Sequence, residues 1–189
     1  MVLAVAGPAL AADLTEGNAA AWGSFASDGA VTSVHDDGAR VRVGASSLRL
    51  DTQSGYDTGI AYPASGVVHL DVRAKNYFSF STYAINTSPY GFQGNQPVVV
   101  IQTSGGSYRY EPQGTLTVTN VWQTFRVPLS GDSKWVRTKV GTPSLSDVTR
   151  IEIHQDTWDF GFTIWYDGID FVQLRDLTTT IRALKELFA

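Results

Sequence analysis

The feature of this sequence that most constrains its fold is a series of short segments in which apolar and polar residues alternate. Alternation with a period of two places the apolar side chains on one face of a β-strand. Turn-forming residues separate the segments, as in DDG at 36–38, SGG at 104–106 and SGD at 130–132. The predicted strands are 31–35, 47–52, 58–62, 67–74, 77–85, 98–103, 107–111, 116–119, 123–128, 150–155 and 162–174.

About ten strands within roughly 160 residues indicate either two antiparallel sheets packed face to face or a closed barrel. The composition agrees with an all-β chain, because 12% of the residues are aromatic, only 17% are charged and 18 are glycine. Of the two architectures we predict the two-sheet antiparallel jelly-roll β-sandwich, which would span 12–174.

The two ends of the chain differ from this pattern. Residues 1–11 are apolar and end in Ala9-Leu10-Ala11, which fits the small residues before a signal-peptidase site and predicts a clipped signal peptide and an exported protein. The alternative is an ordinary apolar first strand. At the other end, 175–189 predicts a short amphipathic C-terminal helix, with Asp176 as its N-cap, that docks on the sandwich or begins a linker.

Several classes of function are excluded or disfavoured by composition. The formal charge of −4 comes without a basic stripe, which argues against nucleic acid as a partner. No apolar run approaches the roughly 20 residues of a membrane helix. The chain has no cysteine, so disulfides, thiolate zinc sites and cysteine nucleophiles are excluded.

Five stretches in order carry a resemblance to a known family. They are DLTEGNAAAWGSFASDGA near the start, GYDTGIAYP, VWQTFRVPLSG, VTRIEIHQD and FTIWYDGIDF at the end. Together they resemble family 11 carbohydrate-binding modules in the galactose-binding-domain-like superfamily. The resemblance implies a β-jelly roll without catalytic activity that binds a polysaccharide such as β-glucan on its concave sheet and carries structural calcium.

The sequence departs from that family at three positions of the binding cleft. Phe25 stands where the family has tyrosine, which keeps the ring and loses a hydroxyl. Glu152 stands where the family has histidine, and Gln155 stands where it has tyrosine. The polar groups of the cleft therefore differ, and β-glucan specificity does not carry over.

Asp167 is a carboxylate within the otherwise apolar segment TIWYDGIDFVQL, where an unpaired charge is costly. The resemblance implies that Asp167, with Asp13 or Glu16 from the first strand, binds calcium, which takes six to eight oxygen ligands. The alternative is a β-bulge at Gly168 that turns Asp167 outward.

Sugar recognition needs flat aromatic rings together with fixed hydrogen-bonding groups. On the strand 150–155, Ile151 and Ile153 share one face, so Glu152 and His154 share the other. The same argument places Phe78 and Phe80 in the core and Tyr83 on the opposite face. Loops add Trp135 with Arg137, and Trp158. The candidate ligand-binding residues are Phe25, Tyr83, Trp135, Arg137, Glu152, His154, Gln155 and Trp158.

Two rival functions remain open. A jelly-roll polysaccharide lyase or hydrolase would use His154, or Glu152 with Asp156, but fold alone does not confer catalysis. An exported structural or filament-forming subunit would use the terminal segments for self-assembly. The sequence favours a secreted or cell-surface polysaccharide-binding module, with an appended enzyme domain as a further possible partner.

Overall fold

The computed structural model describes residues 13–174, which form one 3-10 turn at Ala19–Ala21 and eleven β-strands. The strands in chain order are β1 Gly23–Phe25, β2 Thr32–Asp37, β3 Ser47–Thr52, β4 Thr58–Tyr62, β5 Tyr77–Asn86, β6 Val98–Thr103, β7 Gly106–Pro112, β8 Gln123–Pro128, β9 Trp135–Gly141, β10 Val148–Gln155 and β11 Phe162–Val172.

The strands form two sheets in which neighbouring strands run antiparallel. The six-stranded sheet has the order β1-β4-β10-β6-β7-β9, and the five-stranded sheet has the order β2-β3-β11-β5-β8. The two C-terminal strands occupy inner positions, β10 between β4 and β6 and β11 between β3 and β5. The predicted all-β sandwich of two antiparallel sheets is confirmed.

The core lies between the sheets and follows the alternation of each strand. On β10, Ile151 and Ile153 are fully buried, while Glu152 between them is half-buried on the outer face. On β5, Phe78 and Phe80 are fully buried, as predicted, and Tyr83 lies on the outer face. Full burial of each large apolar side chain stabilises the fold by about 1.5–3 kcal/mol. The alternation of these side chains therefore fixes which face of each strand points into the core.

Trp22 closes the core where the chain enters β1. Its side chain is buried, its Nε1 donates a hydrogen bond of 3.0 Å to the Leu14 carbonyl, and its ring centroid lies 5.2 Å from that of Tyr62. Trp22 is therefore a core residue.

Two predicted strands are wrong and two strands were missed. The segments 67–74 and 116–119 make only isolated bridges, at Leu70 and Thr119. Their neighbouring N–H groups do not continue a ladder: Val72 N donates to the Leu145 carbonyl, and Val118 N donates to Gln123 Oε1. The missed strands are β1, which has three residues, and β9, an edge strand exposed after its first residue. An edge strand buries too little to show an alternating pattern.

The predicted signal-peptide remnant at 1–11 and the predicted helix at 175–189 lie outside the described residues. Within 13–174, no helix is long and apolar enough to cross a membrane.

Candidate functional site

The outer face of the six-stranded sheet brings together side chains from β10 and its neighbours. His154 lies opposite Gly59, and Glu152 lies opposite Ala61, so β4 presents almost no side chain there. Phe25 of the edge strand fills the resulting space: a Cβ on Gly59 would lie 2.7 Å from the Phe25 ring. A residue larger than glycine at position 59 would displace this ring.

A row of charged groups runs along β10 on this face. His154 Nδ1 lies 2.7 Å from Asp57 Oδ1, and its Nε2 lies 3.4 Å from Glu152 Oε2 in an ionic contact without hydrogen-bond geometry. Glu152 Oε1 accepts hydrogen bonds from Arg150 Nε at 2.8 Å and from Gln102 Nε2 at 2.9 Å. These five side chains form what we call the β10 row: Asp57, Gln102, Arg150, Glu152 and His154.

The ionisation states of the row follow from these contacts. Contact with His154 and the bond from Arg150 outweigh burial and hold the pKa of Glu152 at about 2. Burial would lower the pKa of His154, but the hydrogen bond to Asp57 and the ionic contact with Glu152 outweigh it and raise the pKa. The bond to His154 also lowers the pKa of Asp57. These shifts favour the ionised forms of Glu152 and Asp57 and the protonated form of His154. Charged groups held in fixed positions form strong hydrogen bonds to ligand hydroxyls.

The face continues across β7 and β9 beyond the row. Arg109 Nε donates a hydrogen bond of 2.7 Å to Glu111 Oε1, and Arg109 lies opposite Val100 and Thr138. A hollow of about 200 Å³ is lined there by Val100, Ser107, Arg109, Thr138, Lys139 and Val140. The candidate residues predicted from the sequence did not include Asp57, Gln102, Arg109 and Arg150, although the alternation of each strand would have placed the last three on an outer face.

Phe25 provides an aromatic ring at the edge of this face. Its ring centroid lies 4.9 Å from that of His154 in an edge-to-face arrangement, and the side chain is half-buried. Phe25, which was predicted separately from Glu152 and His154, is thus brought onto the same face as these two residues. His154 is itself buried beneath this contact, with 7% of its surface exposed.

Three other predicted ligand residues lie away from the face. Gln155 is fully buried and exchanges hydrogen bonds with Thr117. Trp135 is not in a loop as predicted: it is the first residue of β9 and is buried against Phe125. Arg137 stacks 5.1 Å from the Tyr108 ring and donates to the Leu129 carbonyl at 2.7 Å. Gln155 and Trp135 are thus buried inside the protein, whereas Arg137 is exposed and contacts Tyr108 and Leu129.

Tyr83 lies on the opposite side of the molecule, on the outer face of the five-stranded sheet. Its ring centroid is 5.9 Å from that of Trp165 and 5.8 Å from that of Trp122. The guanidinium of Arg40 covers the Tyr83 ring at 3.9 Å. The ring is therefore covered, and it is not part of the site around Glu152 and His154.

Trp158 follows β10 in the turn toward β11 and is 49% exposed. Its N–H donates a hydrogen bond of 2.9 Å to Asp156 Oδ1, and Asp156 Oδ2 accepts a bond of 3.3 Å from the Asp57 N–H. The Trp158 turn is thus connected through one carboxylate to the end of the β10 row.

Asp167 is buried and bound by backbone N–H groups. Its Oδ2 accepts hydrogen bonds from Arg42 N at 2.5 Å and Val43 N at 2.9 Å, and its Oδ1 accepts one from Gly168 N at 2.7 Å. The register of β11 shifts between Asp167 and Asp170, and Gly168 has a φ of +62°. The expected irregularity at Gly168 is present, but the carboxylate is fully buried beneath the 42–43 segment and not turned into solvent.

The structure brings together two of the three residues predicted to bind calcium, and the third lies elsewhere. Asp13 and Asp167 both contact the Thr15 hydroxyl, and Asp13 Oδ2 is buried without a hydrogen-bond partner among the residues that the structure describes. Glu16 instead binds the Ala45 N–H through both oxygens, at 3.0 and 3.1 Å. Within 13–174, no group of three or more acidic, histidine or cysteine side chains is arranged to hold a metal ion.

Comparisons with known proteins agree with the fold. A family 11 carbohydrate-binding module from Clostridium thermocellum, solved with a β-1,3-1,4-mixed-linked tetrasaccharide, has a TM-score of 0.53 and 16% identity over 82% of this chain and 91% of its own. A family 30 carbohydrate-binding module has a TM-score of 0.55 and 14% identity, with 88% and 90% covered.

A third similar structure is an exo-β-agarase, with a TM-score of 0.56 and 14% identity over 82% of this chain but only 24% of the agarase. No family model and no curated protein sequence matches the chain. The chain therefore has the fold of these carbohydrate-binding modules, and its own residues must decide the function.

Proposed function

We propose that this chain is a non-catalytic module that binds a polysaccharide across the outer face of the six-stranded sheet. The observation that carries the proposal is the β10 row, which places charged donors and acceptors beside the Phe25 ring. Such a combination suits a sugar, because a pyranose presents apolar C–H faces to a ring and hydroxyl groups to fixed polar side chains.

The charges of the face favour a neutral polymer. Its three carboxylates, on Asp57, Glu111 and Glu152, each contact a basic side chain of His154, Arg109 or Arg150. Because each of these three carboxylates is compensated by a neighbouring basic side chain, these pairs offer no net attraction to uronate or sulfate groups. We therefore propose neutral glucans as the class of ligand. The family 11 module solved with a mixed-linked tetrasaccharide, which shares the fold, supports this choice.

The pKa directions argue against a hydrolase. A glycosidase needs one carboxylic acid whose pKa is raised so that it can donate a proton. Glu152 and Asp57, the carboxylates nearest to His154, both have a lowered pKa. A lyase base must be free to accept a proton, whereas the raised pKa of His154 favours its protonated form. We therefore propose binding without catalysis.

Export and an appended enzyme domain complete the proposal. The Ala9-Leu10-Ala11 pattern supports secretion or surface location, where a polysaccharide is within reach. A module of this kind would hold an enzyme domain or a cell surface on the polymer. The rival structural subunit depends on terminal segments outside the described residues.

Affinity gel electrophoresis tests the proposal directly. The protein is run through gels containing mixed-linked β-glucan, xyloglucan, alginate or pectin, and we expect retardation by a neutral glucan. Glu152→Ala should abolish most of the retardation, because it removes the acceptor that organises Arg150 and Gln102. Asp71→Asn is the matched control, since Asp71 is an exposed carboxylate paired only with Arg73. Folded wild-type protein that no polymer retards would refute the proposal.

A further inference from the structure

Two loops meet at the end of the sandwich where β10 stops. Residues 87–97 connect β5 to β6, and 156–161 connect β10 to β11, so each loop crosses from one sheet to the other. Gln93 N donates a hydrogen bond of 2.8 Å to the Asp156 carbonyl, and Thr87 Oγ1 donates one of 3.1 Å to the Gly161 carbonyl. The two loops therefore form one hydrogen-bonded platform.

Three aromatic rings surround an open hollow on this platform. Tyr90 is 73% exposed, Trp158 is 49% exposed, and Phe160 is half-buried. The centroids of Tyr90 and Phe160 lie 6.0 Å apart. The hollow has a volume of about 300 Å³ and is lined by these three residues alone. We call it the rim hollow.

The backbone that presents Trp158 is held in an unfavourable conformation. Trp158 has a φ of +63° and Asp159 a φ of +66°, in the left-handed region that favours glycine. Hydrogen bonds hold the turn: Trp158 N donates to Asp156 Oδ1 at 2.9 Å, and Asp159 Oδ1 accepts from Gly55 N at 2.8 Å. Strained residues fixed by their surroundings concentrate at binding and active sites.

Packing does not explain why the rings are there. The core beneath the platform is closed by Phe92 and Phe162, whose centroids lie 5.6 Å apart and which are 8% and 4% exposed. Trp158 and Tyr90 add large exposed apolar area above this closed core, which is unfavourable in water unless a ligand covers it.

We propose that the rim hollow is a stacking subsite for one neutral pyranose unit of the polysaccharide, and this inference rests on the proposed function. Among residues 13–174, no charged side chain lines the hollow, so these residues offer an anionic group no partner in it. A protein partner would need about 800 Å² on each side, far more than three rings around a hollow of this size provide.

The position of the hollow supports the same ligand. Asp156 connects the rim hollow to the β10 row. Its Oδ1 accepts a hydrogen bond from the Trp158 N–H, and its Oδ2 accepts one from the N–H of Asp57. The Asp57 side chain in turn binds His154. Only four positions separate His154 from Trp158. A polymer that crosses the β10 row thus reaches the rim hollow with its next units.

The decisive variant is Trp158→Gly, compared with Trp158→Phe, Tyr90→Ala and the exposed control Val67→Ala. Calorimetric titration with a soluble mixed-linked glucan oligosaccharide should give an affinity about tenfold lower for Trp158→Gly and Tyr90→Ala, since one aromatic stack contributes about that factor. Trp158→Phe, which keeps a smaller ring, should bind more tightly than Trp158→Gly, and Val67→Ala should bind as wild type. Trp158→Gly should also raise the thermal midpoint, because glycine adopts a positive φ without strain.

The outcomes separate this inference from the proposed function. Wild-type protein that binds the oligosaccharide, with Trp158→Gly and Tyr90→Ala binding equally well, overturns the subsite and leaves the β10 row intact. Wild-type protein that binds no polymer overturns both. If Trp158→Gly loses self-association in analytical ultracentrifugation but keeps its affinity for sugar, the hollow serves a second copy of the chain and the subsite is likewise overturned.

Discussion

His154 Nδ1 on β10 and Asp57 Oδ1 in the loop before β4 lie 2.7 Å apart, at the end of the six-stranded sheet that also carries Phe25. The imidazole is buried, whereas the carboxylate is half-exposed. This pair fixes the orientation of the histidine ring and links the loop to the strand. Its effect on stability depends on pH, because only protonated histidine forms an ion pair.

The His154 pair predicts a loss of stability as the pH rises. The pKa of His154 is raised in the folded state above the ordinary value of 6.5, so folded protein binds the proton more tightly than unfolded protein does. The stabilisation is fully present below about pH 6.5 and is lost as the pH rises through the folded-state pKa. Thermal midpoints measured between pH 5.5 and 9 should fall less steeply for His154→Gln than for wild type.

His69→Gln is the control for this experiment, because His69 pairs with Asp147 on the exposed surface. It should keep the wild-type slope. Equal slopes in wild type and His154→Gln would show that the buried pair does not carry the pH dependence.

Glu152 predicts a loss of stability in acid. Its folded-state pKa is about 2 against an ordinary value of 4.5, so its contribution is present above pH 4.5 and is lost as the pH falls toward 2. Urea unfolding of Glu152→Gln should show a smaller decrease over this range than wild type does. Glu111→Gln removes a more exposed carboxylate of the same face and should retain the wild-type decrease; the prediction fails if the two variants behave alike.

Tyr166 and Tyr110 make a matched pair for the energetics of buried hydroxyls. Both rings are fully buried, but the Tyr110 hydroxyl donates a hydrogen bond of 2.9 Å to the Leu129 carbonyl, whereas the Tyr166 hydroxyl has no partner in the described part of the chain. Tyr110→Phe should lower the free energy of unfolding by about 1 kcal/mol, and Tyr166→Phe should leave it unchanged or raise it. Urea denaturation measures both. An equal loss in both variants would mean that the Tyr166 hydroxyl is bonded in solution.

Asp167 predicts how the protein responds to calcium. Because three backbone N–H groups bind its carboxylate and Glu16 binds elsewhere, we expect calcium or a chelator to leave the thermal midpoint unchanged. Asp167→Ala should lower the free energy of unfolding by about 1–3 kcal/mol, because these N–H groups lose their acceptor. A midpoint that rises with calcium in wild type but not in Asp167→Asn would establish the calcium site that the family resemblance implies.

Strand positions could be read from the sequence wherever one face is buried. Strands β3, β4, β6 and β8 have the predicted bounds, because their apolar residues alternate against a packed core. Strand β9 could not be predicted, since an edge strand exposes six of its seven residues. The alternation of side chains along β10 also explains Gln155. It lies on the same face of the strand as Ile151 and Ile153 and is therefore buried in the interior, where Thr117 binds its amide.

Only part of the candidate site could be predicted from the sequence. The alternation along β10 placed Glu152 and His154 on one face. Their partners Asp57 and Gln102 come from other segments, and these pairs can be predicted only when the register between the strands is known. Trp158 was found as a loop aromatic, whereas Tyr90 and Phe160 join it only because two loops meet at one end of the sandwich. Contacts of this kind have no local sequence signal.

The charge compensation within the β10 row bears on where such a module can operate. Dissolved salt weakens attraction between separated exposed charges, but it has little effect on buried pairs and on hydrogen bonds to uncharged hydroxyls. The carboxylate of Glu152 and the imidazole of His154 are both largely covered. Attachment to a neutral polymer through this face should therefore tolerate brackish or marine salinity as well as fresh water.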